Sequence, residues 1–167
     1  MKNKRGIGQL SSGAVVALLS LLVYVSLSTV SCSSIECPIQ NKVELVCAVA
    51  DTLKDTLTVT TRRSDGTDTV LLYRAQQVVT MQLPISQQHA VDKLVFKTER
   101  LAVTDTVWIE KEDEPHFESV DCSLAYFHHI TSVRCTHLGI DTIVITKPNV
   151  DYDLSSSHLL FYFKARP

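Results

Sequence analysis

Glycine and proline are scarce in this chain, five of each in 167 residues, and tryptophan occurs once. They are scattered and no low-complexity stretch appears, so no internal linker is implied. No apolar run reaches the ~20 residues that a membrane-crossing helix needs. Missing too are a Gly-x-Ser-x-Gly elbow, a Gly-rich phosphate loop and a His-Glu-x-x-His helix. A site assembled across strands would leave no such motif, but small size and missing motifs together argue against an enzyme. Basic clusters are equally rare. Arg62-Arg63 is the only basic doublet beyond residue 31, and it fits a solvated strand end better than a phosphate-tracking surface, so no nucleic-acid partner is expected.

What the chain does carry begins at its start. Lys2, Lys4 and Arg5 precede the apolar run Ala14–Val25, and a small-residue segment ends at Cys32. That is the layout of a cleaved export signal, with a core too short to stay as an anchor. Leu27-Ser28-Thr29-Val30-Ser31-Cys32 resembles a bacterial lipobox, with Thr29 where an aliphatic residue is more usual. The resemblance implies that residues 1–31 are a lipoprotein signal peptide, that Cys32 receives the palmitate-bearing lipid anchor, and that 32–36 form the anchored N-terminus. Ordinary secretion, with cleavage near Ser31 or Ser33, is the other reading. Residues 1–31 contain three bases and no acid, so 13 Lys and Arg face 18 Asp and Glu from residue 32 onward. The exported part is mildly acidic, which favours solubility.

The remaining 136 residues suit one domain with a genuine core, placed at 37–167. Period-two alternation runs through it. Val43, Leu45, Cys47 and Val49 alternate with smaller or polar neighbours, as do Leu57 and Val59, and Leu94 and Phe96. Similar β-branched or aromatic runs follow at 106–111, 142–147 and 159–164. Eight or nine short strands are expected, in an all-β antiparallel sandwich of broadly immunoglobulin-like architecture, a small open barrel being the alternative. Asp65-Gly66 predicts a tight hairpin turn. Trp108 falls opposite Val107 and Ile109, on a face that can be exposed.

Cys37, Cys47, Cys122 and Cys135 remain beyond Cys32, an even number that in an exported domain suggests two disulfides. Three pairings are open, and Cys47 is also readable as a small core residue. No spacing is of the short CxxC kind that preorganises zinc. His128 and His129, being adjacent, point to opposite faces of a strand and cannot jointly chelate one ion. The acidic run Glu110–Glu114 before His116 reads as a solvated turn, and Glu112 and Glu114 lack the cleft a glycosidase pair needs. Asp151-Tyr152-Asp153 lacks the Gly and later acidic ligands of a calcium loop. No metal and no cofactor is expected.

Cys32-Ser33-Ser34-Ile35-Glu36-Cys37-Pro38, Leu83-Pro84-Ile85, the run Pro115–Cys122, Asp141–Ile145 and Leu160-Phe161-Tyr162-Phe163 occur in that order. In this the chain resembles short lipoproteins of Bacteroidota grouped under a domain of unknown function. The resemblance implies a Cys37–Cys122 disulfide, leaving Cys47 with Cys135, and carries no activity.

Asp-Thr-aliphatic recurs at Thr52, Thr56, Thr69, Thr106 and Thr142, five times against about half of one by chance. A turn Asp, a strand-entering Thr and a first buried aliphatic residue explain the pattern structurally. It also resembles the acceptor motif for O-linked glycans on exported Bacteroidota proteins, which makes these five threonines candidate modification sites.

Two functions are expected from this. One is a non-catalytic interaction or structural module, anchored by lipid in the cell envelope, in the outer membrane and facing the periplasm in preference to the cell surface, with an envelope protein as partner. A partner module should present an open edge or an apolar patch. The other is a binder of a small ligand or glycan through Trp108 or Tyr126, which should present an aromatic-lined pocket.

Overall fold

The computed structural model describes Gly13 and residues 43–120 and 122–164. Apart from Gly13, the signal segment lies outside the described residues, as do Cys32 and Cys37. All the strands belong to the unit Glu36–Pro167.

Ten strands form two sheets. They are β1 (Glu44–Leu53), β2 (Leu57–Thr61), β3 (Val70–Ala75), β4 (Val78–Pro84), β5 (Val91–Thr98), β6 (Val103–His116), β7 (Ala125–Cys135), β8 (Ile140–Ile145), β9 (Asn149–Val150) and β10 (Leu159–Phe163). The smaller sheet runs β4-β1-β10-β8 and the larger β3-β2-β5-β6-β7-β9. The all-β sandwich is as expected. Two details differ: β9, with only two residues, is too short to leave a periodic signal, and β1 pairs with β10 in parallel, Cys47 opposite Leu159 and Val49 opposite Phe161. Every other pairing is antiparallel.

The inner faces meet in one apolar layer. Leu45, Cys47 and Val49 of β1, Met81 and Leu83 of β4, and Leu159 and Phe161 of β10 face Leu57, Val59, Leu94, Phe96, Val107, Ile109 and Ile130 from the larger sheet. Phe96 stacks on Phe161 across the sheets at 5.2 Å between ring centres. The alternation in β1 and β2 therefore becomes burial because each inward side chain meets a partner layer.

Asp65-Gly66 does not make a tight hairpin. The chain from 62 to 69 is an eight-residue connection between β2 and β3, with Gly66 at φ 76° the only glycine among the described residues at positive φ. The Asp65 carboxylate accepts from the Thr67 amide and hydroxyl, and Asp68 accepts from the Arg63 amide, so the loop is knit by side chains instead of a two-residue turn. Arg62 and Arg63 are exposed there, Arg62 beside Asp68.

The acidic run Glu110–Glu114 is not a turn either. It lies inside β6, whose fourteen residues continue to His116 paired with β7. Lys111 and Asp113 occupy the inward phase set by Val107 and Ile109, while Glu112 and Glu114 are exposed. The charges hid the alternation because two inward positions are themselves charged.

Candidate functional site

β6 brings two groups of buried polar side chains to opposite ends of the larger sheet. Near its start, Asp105 is 2% exposed. Its carboxylate accepts from the Thr136 hydroxyl and Leu138 amide, both at 2.6 Å, and from the amides of Gly139 at 2.6 Å and Ile140 at 3.0 Å. Burial pushes the carboxyl up, but these four donors outweigh it and hold Asp105 below the usual carboxylate range. The acid thereby clamps the connection from β7 to β8. Gly139 leaves room for this clamp: a Cβ there would meet Val103 Cγ2 at 2.7 Å and Asp105 Oδ2 at 3.3 Å, so these side chains would have to shift.

Asp55 does the same between β1 and β2. It is buried and accepts from the amides of Thr56 (2.7 Å), Arg100 (2.8 Å) and Leu101 (3.1 Å), tying that crossing to the turn between β5 and β6. Here too burial raises the carboxyl and the amides more than reverse it. Beside it lies a groove of about 660 Å³ whose wall includes Asp51, Lys54, Arg100, Tyr162 and Phe163.

Toward the far end of β6 the buried groups are ionic. The Lys111 side chain is fully buried and its Nζ donates to Asp113 Oδ1 at 2.5 Å; the same oxygen lies 2.6 Å from Nδ1 of buried His128 on β7. A carboxylate only accepts, so His128 Nδ1 carries the proton. Burial raises the Asp113 carboxyl, and the hydrogen bonds from Lys111 and His128 more than offset it. Asp92 on β5 shares the inward phase and accepts from the Ser86 amide at 3.0 Å. Burial dominates at Asp92 and leaves its carboxyl above the usual range despite the charges of Lys111 and His128. Asp92 also lines a second groove, of about 690 Å³, with Arg62, Arg63, Ser86 and His89.

A third cluster was not legible in the sequence. His116 stacks on Phe127 at 4.1 Å, and Tyr152 meets both rings edge-on at 5.9 and 5.0 Å. Register supplies the only signal: β6 and β7 pair out to His116 and Ala125, which places residue 127 diagonally from 116. The Tyr152 hydroxyl and His158 Nε2 are the buried side-chain atoms without a hydrogen-bond partner among the described residues. His158 is fully buried, with Nδ1 accepting from the Val46 amide. Burial, and next the nearby Lys147 charge, hold its pKa below the usual histidine value.

The sequence-predicted residues do not converge on one site. Trp108 is half-buried under the Arg134 guanidinium, 5.0 Å from the ring centre. Tyr126 pairs opposite Pro115, seven residues farther along β6, which separates it from Trp108 by about 23 Å. His128 is buried while His129 is exposed and bonded to Asn149, as adjacent strand residues must be. Asp151 and Asp153 hold Lys147 Nζ at 3.2 and 3.1 Å, so the cation of that loop is a lysine of the chain itself. No group of three or more metal-ligating side chains occurs among the described residues, and none of their helices is long and apolar enough to cross a membrane.

The cysteines and threonines also sort themselves. Cys47 and Cys135 are free thiols, which overturns their expected pairing: Cys47 is sealed in the core on β1, and Cys135 ends β7 with its sulfur 3.4 Å from His137 Nδ1. Burial pushes the Cys47 thiol up, so it behaves as a core residue. Cys122 is buried in the loop between β6 and β7 and is not one of the free thiols. Of the candidate glycan acceptors, Thr52, Thr69 and Thr142 are exposed, Thr106 is half-buried and Thr56 is buried. Asp55 and Leu57 on either side of Thr56 are buried too.

No curated protein and no solved structure matches the chain. A family profile does, over residues 48–163, from the middle of β1 to the end of β10. The chain belongs to the family of unknown function DUF6452.

Proposed function

We propose that this is a lipid-anchored module of a Bacteroidota cell envelope, held in the outer membrane through Cys32, facing the periplasm, and binding another envelope protein instead of catalysing a reaction. The export signal and lipobox-like Cys32 support the address. The observation that carries the binding role is the outer face of the smaller sheet. Ala48, Leu160 and Val144 lie side by side in register there, with Tyr162 two residues farther on, and Val144 and Tyr162 are each 41% exposed. β8 is the terminal strand of that sheet, so an apolar face and a strand edge coincide. The carboxylates of Asp55, Asp105 and Asp113, by contrast, are committed to holding loops and strands. A Cys37–Cys122 disulfide completes this reading.

The test is crosslinking in intact envelopes, followed by pull-down of wild type, Cys32→Ala and Val144→Lys. One reproducible envelope protein, captured by wild type and lost in both variants, is the expected result. An acylated, folded wild type that captures nothing contradicts the proposal.

A small-ligand or glycan reading rests on the groove beside Asp55, where Tyr162 and Phe163 offer aromatic surface near Arg100 and Lys54. It moves the site away from Trp108 and Tyr126. Titration of envelope oligosaccharides into the soluble domain tests it, binding that is abolished by Tyr162→Ala being the expected signature. O-glycosylation is proposed at Thr52, Thr69 and Thr142, with Thr106 less accessible. Peptide mass spectrometry of envelope-purified protein decides it, unmodified peptides at every one of these sites being the contrary outcome.

A further inference from the structure

Nine large apolar side chains are prominently exposed among the described residues, and three of them, Phe117 (60%), Val120 (86%) and Leu124 (48%), share the single loop between β6 and β7. β5 pairs with β6 only as far as Glu110, so the β6–β7 hairpin runs six residues farther, about 20 Å, before reaching that loop. The loop is braced from behind by the His116–Phe127–Tyr152 stack and by Glu118, which lies 3.4 Å from His116. Cys122 sits in the same loop, buried, while its neighbours point three apolar side chains at solvent.

We propose that this loop is a lipid-contacting tip, which lies against the membrane surface that holds the chain and fixes the orientation of the sandwich on it. The inference rests on the reading of Cys32 as the lipid anchor and of Cys37 as the partner of Cys122. Four residues lie between Cys32 and Cys37, so the five steps reach at most about 18 Å when extended. A disulfide from Cys37 to Cys122 adds about 6 Å between the two Cα atoms, so it tethers Cys122 within roughly 24 Å of the acylated residue. Three exposed apolar side chains held so close to a bilayer gain by entering its interface. Glu118 in the same loop keeps the contact shallow and disfavours an anionic surface, so the lipid expected is zwitterionic. The outer face of the smaller sheet stays available for a protein partner.

Tryptophan reporters in the full acylated chain test this, reconstituted in phosphatidylethanolamine-rich vesicles with and without brominated acyl chains. Trp108 of the wild type lies nine residues along β6 from Phe117, about 30 Å, and serves as the internal reference. Phe117→Trp should lose about half of its added emission in brominated vesicles, whereas Tyr73→Trp, 72% exposed on the outermost strand β3, should lose none. Val120→Trp repeats the measurement with an independent side chain. Intact mass and vesicle flotation separate the two layers of the inference. Absence of acyl mass on Cys32 overturns the anchoring reading and the tip with it. An acylated protein that floats with vesicles, yet is unquenched at both 117 and 120 or quenched equally at 73, overturns the tip alone and redirects its apolar residues to a protein partner.

Discussion

Asp105, near the start of β6, and Asp113, near its end, occupy the same inward phase of one strand, yet they are stabilised by different chemistry. Asp105 receives three backbone amides and a hydroxyl, all from the β7–β8 connection and the first residue of β8, with no cation among its hydrogen-bond donors. Asp113 is held by an ammonium and an imidazole, both side chains, both buried. At the first site the carboxylate organises a loop. At the second it neutralises a lysine that the strand has placed inside the sandwich. Losing either acid should therefore hurt for different reasons: unpaired amides can partly rotate to water with their loop, whereas an unpaired buried ammonium cannot.

The largest expected effect is that of Asp113→Ala, which strands the fully buried Lys111 side chain and should cost about 3–5 kcal/mol, read by urea denaturation. Asp105→Ala should cost about 2–3 kcal/mol and raise amide hydrogen exchange in residues 136–140 before the rest of the sheet. If exchange rises uniformly instead, Asp105 is not a loop clamp. Gly139→Ala attacks the same clamp from the other side through its clash with Val103 Cγ2, and about 2 kcal/mol is expected.

Acid should separate these groups by the sign of their pKa shifts. His158 has a folded pKa below its unfolded value, so the unfolded chain takes up that proton first and stability should begin to fall as pH drops below about 6.5. Asp55, Asp105 and Asp113 are also depressed; their contribution is complete above the unfolded carboxylate value and should be lost as pH falls below about 4. Asp92 has the opposite sign: its folded carboxyl is raised, so ionising it weakens the fold and its share of stability grows as pH falls toward that value. His158→Asn, which keeps an acceptor for the Val46 amide, should remove the first step and leave the second. Asp92→Asn should shift neutral-pH stability by under about 1 kcal/mol, in contrast with Asp113→Ala. The smallest effect expected is at Ala102, whose φ of 52° in the turn between β5 and β6 suits glycine; Ala102→Gly should stabilise by about 0.5 kcal/mol, measured as a thermal shift.

Much of the fold is legible in the sequence wherever one face of a strand is apolar. Leu45-Cys47-Val49 and Leu57-Val59 announce β1 and β2, and Leu159, Phe161 and Phe163 announce β10, since period two and burial coincide. The same rule fails in β6 after Ile109. Lys111 and Asp113 hold inward positions, but nothing in their spacing reveals that His128 on another strand will share the carboxylate. Asp-Thr repeats behave in the same divided way. At Asp55 and Asp105 the acid is a buried acceptor for amides far away in sequence, whereas at Asp51 and Asp141 it is exposed; identical dipeptides acquire different roles from the loops that cross them. Parallel pairing of β1 with β10 joins chain segments about a hundred residues apart and carries no local signature.

The buried charges at the far end of β6 are structural: Lys111 is locked to Asp113, whose carboxylate is shared with His128. A double-mutant cycle on Lys111→Met and Asp113→Ala, followed by urea denaturation at neutral pH, tests it most directly. Removing both charges should recover about 2 kcal/mol of the loss seen for Asp113→Ala alone, because no ammonium is then left unpaired. Additive losses from the two substitutions would mean that Lys111 and Asp113 are not coupled, and would leave Asp113 free for a role outside the fold's own stability.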